Sequence, residues 1–273
     1  MSDIFERAAA YIRQQGDEFD RVRLAKLDDN TGYLTNEQQA RFFAGQRADG
    51  GWAPFWAPDY SSLDATCYRL AQAAGLWIRP SSSSEIHGAL DFLRSRQRPD
   101  GSWEEDASVA DRAPPWARPG ELASRLYLTA NCGWTIADSG GGGFGDVSPA
   151  AQRAGDCLAA QVAPDGSFPA FLQIHWLAAG LWIRAGQDDL AYRTLDTLAN
   201  RLDANVGSGA LAWMLFTLGG LGIPADHPIG QKGSSLLLAQ QRADGGWASE
   251  DGPDRDPAVT VEALHGLLKW AAI

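Results

Sequence analysis

The sequence predicts an all-α protein: about twelve helices, paired as hairpins that close a single (α/α)6 toroid or barrel. Three observations predict it. A short motif recurs four times in register, an apolar helical stretch follows each copy, and the period-two alternation of strands is absent.

The motif copies are Gln46-Arg-Ala-Asp-Gly-Gly-Trp52, Gln97-Arg-Pro-Asp-Gly-Ser-Trp103, Gln161-Val-Ala-Pro-Asp-Gly-Ser-Phe168 and Gln241-Arg-Ala-Asp-Gly-Gly-Trp247. Successive glutamines lie 51, 64 and 80 residues apart (46 to 97, 97 to 161, 161 to 241). The last gap is twice a 40-residue unit. A worn copy without the Asp-Gly turn fits inside it, between Asp188 and Gly222. The middle gap is stretched by a glycine-rich insertion at 139–145. In each copy Asp-Gly supplies the positive-φ residue that turns the chain after a helix, and the aromatic packs back over the turn.

The apolar stretches that follow cover 63–78, 122–136, 170–183 and 259–270. Two of them end in the same words, Ala-Gly-Leu-Trp-Ile, at Ile78 and at Ile183. Helix starts agree with this division. Thr35 with Gln38 and Ser82 with Glu85 are capping boxes, while Ser148-Pro149 and Asp256-Pro257 set a cap before a first-turn proline. With two more helices before Thr35, the count reaches about twelve.

Composition bounds the function. A chain of 273 residues, 45% of them hydrophobic and 11 of them tryptophan, can bury a large core as one domain spanning 1–273. A net charge of -11 argues against a nucleic-acid partner. Cys67, Cys132 and Cys157 show no metal or disulfide spacing and fit a reducing compartment. The charged opening residues show no leader, and no apolar run approaches a membrane span. A cytoplasmic protein is expected.

The Gln-x-x-Asp-Gly-x-Trp pattern resembles the QW repeat of squalene-hopene cyclases, oxidosqualene cyclases and related class II terpene cyclase domains. The segment Leu63-Asp-Ala-Thr-Cys-Tyr-Arg-Leu70 resembles an inner helix of the related protein prenyltransferase β subunits. The resemblance covers nearly the whole chain. It implies that the helix after each motif belongs to an inner ring facing an apolar cavity, and that the substrate is an apolar small molecule such as an isoprenoid. Squalene cyclases carry two toroids, so activity here is expected to work within one ring.

The two family chemistries leave different marks. A class II cyclase protonates an alkene or epoxide with an aspartic acid, then steadies the cations with aromatic faces. Its usual Asp-x-Asp-Asp motif is absent; the nearest match is Asp251-Gly-Pro-Asp254-Arg-Asp256. A prenyltransferase holds zinc with Asp, Cys and His, but the histidine position falls on Ala65. No metal site is expected. Magnesium would enter only with a diphosphate substrate, and the acid-rich run 244–256 reads either as a grip for the two or as a solvated loop.

Three residues are candidate catalysts. Asp64 opens an inner helix, where it also serves as a complement to the helix N-terminus. Glu262 shares a face with His265, one turn on, as an acid with an orienting partner or as a solvated pair. His175 lies on an apolar helix beside Gln173 and Trp176, as a cavity base or as a bonded core histidine. Tyr68, Trp176 and Trp213 are candidates to line the cavity. Arg125 and Tyr127 are candidates to reach a polar group of the substrate. Trp116 sits in the long segment 111–118, which has the length of a lid.

The reading is a terpenoid-cyclase-like enzyme of the lyase or isomerase type, with Asp64 or Glu262 as proton donor. The alternatives are cyclisation of a non-terpenoid intermediate with His175 as base, and a toroid that binds without catalysing.

Overall fold

The computed structural model describes residues 3–28, 30–78, 83–139 and 147–271. Most of the expected glycine-rich insertion, beyond Ser139, lies outside them, as does Ser82. The described residues include twelve α-helices and two short 3-10 turns, with no strand among them beyond one isolated bridge between Trp52 and Ser62. They are α1 (Asp3–Gln15), α2 (Glu18–Asp28), α3 (Asn36–Phe43), α4 (Leu63–Gly75), α5 (Ser84–Ser95), α6 (Leu122–Ser139), α7 (Pro149–Ala159), α8 (Gln173–Arg184), α9 (Asp188–Arg201), α10 (Ser208–Leu218), α11 (Pro228–Ala239) and α12 (Asp256–Lys269). No helix of the described residues is long and apolar enough to cross a membrane.

Contacts divide the chain into two units. The first joins residues 1–35 to 196–273, the second holds 36–195, and the boundary falls within α9. In the second unit α4, α6 and α8 pack side by side, with α5 against α4 and α7 against α6 and α8. In the first, α12 packs against α10, α2 and α1, and α11 against α10.

All four motifs adopt one geometry. Gly50, Gly101, Gly166 and Gly245 turn the chain at φ between 84° and 90°. The residue three before each glycine closes the turn in both directions, as Arg98 does with Gly101 and Ser102. The motif aspartate caps the next amide: Asp100 accepts from Ser102, and Asp165 from Ser167. Each glycine lies against the backbone of an odd-numbered helix, Gly101 on Arg153 of α7 and Gly245 on Arg7 of α1. The motif glutamine bolts that contact. Gln97 Nε2 donates to Gly101 and to Ala150 of α7, and Gln241 Nε2 to Gly245 and to Ile4 of α1. Trp103 and Trp247 are fully buried, and their indoles donate to Leu93 and Leu237.

One cap differs from expectation. The hydroxyl that receives the Ile86 amide at the start of α5 is that of Ser83, one residue later than the capping-box reading. Elsewhere Ser62 caps α4 and Ser148 caps α7. Asp256, read as a cap, is the first residue of α12. Its carboxylate accepts from the Ser249 amide at 2.7 Å and from Arg242 at 2.6 Å, so it ties the motif turn to the helix.

Candidate functional site

Asp64 occupies the first turn of α4, where Ser62 and Leu63 start the helix. Three donors from outside the helix converge on its carboxylate. Tyr127 of α6 donates its hydroxyl to Oδ1 at 2.8 Å, and Asn131, one turn further along α6, adds its amide at 3.4 Å. Trp116 donates its indole N–H to Oδ2 at 3.1 Å. Tyr127 and Asn131 meet because residues four apart share a helix face, and α4 packs on α6. Asn131 also donates to the Tyr127 hydroxyl, at 3.4 Å.

Trp116 reaches the site on a folded segment. Val109, Ala113 and Ala117 form a buried apolar cluster, and Trp56, Tyr60 and Trp116 pack against it. Arg112 pairs with Asp59 at 2.7 Å, tying this segment to the 53–61 loop. Tyr127 is buried and meets Phe171 edge-on, with ring centroids 6.2 Å apart. Burial and then the Asp64 charge hold the Tyr127 phenol well above its ordinary range, so it stays a donor.

Beneath α4 lies Glu105, a residue the sequence did not single out. It is 3% exposed, and its carboxylate accepts from Ser62 Oγ at 2.7 Å and from the Leu63 amide at 2.9 Å. The Tyr60 hydroxyl and the Asp64 amide also donate to it, at 3.0 and 3.4 Å. Cys67 and Cys132, both buried, bring their sulfurs to 3.7 Å between α4 and α6. Burial pushes the Cys132 thiol up, which makes it a neutral packing group.

The structure gives His175 another task. It is fully buried on α8, its Nε2 accepts the Phe168 amide at 3.2 Å, and its Nδ1 faces the Leu172 carbonyl at 3.2 Å. In the other three motifs a threonine does the same. Thr66, Thr129 and Thr260 accept the amides of Trp52, Trp103 and Trp247, and each hydroxyl donates back one turn. His175 is thus the turn lock of the third motif. His175→Ala is expected to lose at least about 1–3 kcal/mol by orphaning a buried amide. Denaturant melts of the variant and the parent check this.

Other candidates are dispersed. Arg125 lies half-buried near Asp100, whose carboxyl is lowered chiefly by its bonds to Ser102, and near Cys157, whose thiol burial pushes up against the opposing charge of Arg125. Tyr68 is exposed and its hydroxyl accepts from Gln72. Trp176 is buried in the core, and Gln173 is half-buried at the start of α8. In the first unit, Glu262 faces Arg23 of α2 at 3.6 Å. Burial raises Glu262 and Asp20 above the carboxylate range, and Arg23 opposes both shifts. His265 meets Phe216 edge-on at 4.7 Å, and burial, with Lys269 and Arg23, pushes it down to about 3. Trp213 is half-buried on α10.

The depressed His265 has a sign that experiment can read. Below its unfolded value near 6.5 the unfolded chain binds a proton that the folded chain refuses, so stability falls as pH drops from about 6.5 toward 3. The raised Asp20 and Glu262 act in the opposite direction. His265→Gln is therefore expected to lose less stability between pH 7 and pH 5 than the parent, by urea melts at each pH. The acid-rich run is equally spread: Asp244 caps its own turn, Glu250 receives the Gly209 amide, and Asp256 binds Arg242.

The chain shares its all-α fold with a type II terpene cyclase. That structure, MstE from Scytonema in its apo form, superposes at a TM-score of 0.60 over 98% of this chain and 88% of its own, at 17% identity. A crystal structure of a protein from Actinoplanes matches at a TM-score of 0.65 over 98% of both chains, at 16% identity. No family model matches the chain, and no curated protein does. Identities this low carry the fold and leave the chemistry to the chain's own residues.

Proposed function

We propose that this protein is a terpenoid-cyclase-like enzyme that binds an isoprenoid or similar apolar polyene and starts its carbocyclisation by proton transfer from Asp64. The observation that supports it is the set of three donors on that one carboxyl, held against aromatic rings. A protonated Asp64 gives its proton to a terminal alkene carbon or epoxide oxygen, leaving a carbocation and an aspartate anion. The next double bond attacks the cation, and loss of a proton or capture of water ends the sequence. Tyr127, Trp116 and Asn131 each bond a full negative charge after the transfer, so all three interactions strengthen as the reaction proceeds. The rings of Trp116, Tyr127 and Phe171 offer faces to cationic intermediates. The buried cluster behind Trp116 keeps water from an early capture.

This reading needs no cofactor, since the proton and not a departing diphosphate initiates. Magnesium would serve only to bind a diphosphate tail. The test is product analysis after incubation with polyprenyl diphosphates of ten to thirty carbons and with squalene, in H2O and D2O, with and without magnesium. A cyclised isomer carrying one solvent deuterium at the initiating carbon is expected. No binding and no turnover with any isoprenoid would sink the proposal and leave a toroid that binds something else.

A further inference from the structure

Glu105 caps α4 in an unusual way. The first amides of a helix ordinarily stabilise a nearby anion. Here those amides are taken: Leu63 donates to both Glu105 oxygens, at 2.9 and 3.2 Å, and Asp64 donates to Oε1 at 3.4 Å. Asp64, the residue whose own amide is engaged, turns its carboxyl toward α6 and Trp116 instead. Glu250 offers a contrast. It accepts the Gly209 amide at 3.1 Å at the start of α10, but it is exposed and its partner is a glycine. One acidic cap is a plain cap; the other is buried next to a second carboxylic acid.

We propose that Glu105 is a positioning residue for Asp64: it fixes the first turn of α4 so that Asp64 meets Trp116 and Tyr127, and it withholds the helix amides and adds a second negative charge, so that Asp64 keeps its proton until a substrate takes it. This rests on Asp64 as the proton donor. The ionisable groups facing Glu105 are few. They are Tyr60 on the 53–61 loop, whose phenol burial and then the Glu105 charge push up, Arg96 at the end of α5, which acts on that phenol, and Cys132 on α6, with Asp64 on α4 itself. Arg96 is the only cation in this set, and it acts on the phenol without a bond to Glu105's carboxylate among those described. Burial raises the Glu105 carboxyl above its usual range although four kinds of donor pull it down. Two carboxyls at one helix end, with their amides shared out this way, resist losing both protons together.

The experiment compares Glu105→Gln, Glu105→Asp and the control Glu250→Gln by two readouts. The first is the rate–pH profile, which falls at high pH as the donor loses its proton. The second needs no turnover: the 15N–1H resonance of the Trp116 indole, assigned by Trp116→Phe, follows the ionisation of the Asp64 carboxyl it touches. In Glu105→Gln both transitions are expected to move down by about one pH unit, with KM changed far less than kcat. Glu105→Asp keeps the charge and is expected to keep the wild-type transitions at reduced kcat; Glu250→Gln moves neither. Transitions in Glu105→Gln that coincide with wild type would overturn the proposal, as would a shift in Glu105→Asp equal to that in Gln. If the wild-type protein turns over no isoprenoid, the cyclase reading fails, while the indole titration still decides whether Glu105 governs Asp64.

Discussion

Asp64→Asn is expected to lower turnover by about a thousandfold, the middle of the range for loss of a general acid. The amide is nearly isosteric, so substrate affinity is expected to hold while kcat collapses. Removing an interaction made only in the transition state has that signature, and single-turnover kinetics with a binding measurement reads it directly. A second effect follows from the site's donors. Trp116 Nε1 and Asn131 Nδ2 can only donate, and Tyr127 is the one partner able to rotate its proton away. Asparagine presents one acceptor and one donor to these three, so one donor pair is left facing each other. The variant is therefore expected to be less stable by about 1–3 kcal/mol. Tyr127→Phe, which keeps the acid and removes one donor from its anion, should cost about ten- to a hundredfold in kcat. Equal activity in Asp64→Asn and wild type would remove Asp64 from the chemistry.

The second large effect is on folding. Gly101 and Gly120 share nearly the same backbone, at φ 85° and 84°. A methyl group at Gly120 meets nothing within 4 Å, whereas at Gly101 it runs into the Arg153 carbonyl of α7. Gly120→Ala should cost about 1–2 kcal/mol, the left-handed strain alone. Gly101→Ala adds an overpacking term of about 1–3 kcal/mol, because two main chains must part. Chemical denaturation of both variants separates strain from clash. Equal losses would show that the motif turn does not depend on that close approach.

Much of this architecture is legible in the residues. Asp-Gly followed by an aromatic is a local instruction, readable without knowing the partner helix, and twelve helices follow from counting such turns. Asp64, Tyr127 and Trp116 stand out one by one as polar or aromatic side chains near apolar stretches. Their convergence is not visible, because 52 and 63 residues separate Asp64 from its two partners. The packing of α4 on α6 and the course of a loop decide it. Glu105 and Asn131 escape for the same reason: a glutamate two residues past a motif looks like surface until the first turn of α4 is seen to start on it. His175 hides differently. The threonines that lock the other motifs follow their aromatics by 14, 26 and 13 residues, and His175 follows Phe168 by 7. Loops of unequal length scramble the register in which the histidine would have been recognised as a threonine's replacement.

The seating of the last motif on α1 has a consequence for biosynthesis. Gln241 bonds Ile4 and Arg7, and Arg242 bonds Tyr11, across 231 to 237 residues of chain. α1 finds this partner only after the residues between the two have been translated. Until then an amphipathic segment with Phe5, Ala8, Ala9 and Ile12 on its apolar face has no permanent shelter. The 36–195 unit can form on the nascent chain; the unit that joins 1–35 to 196–273 must wait until both segments have been made.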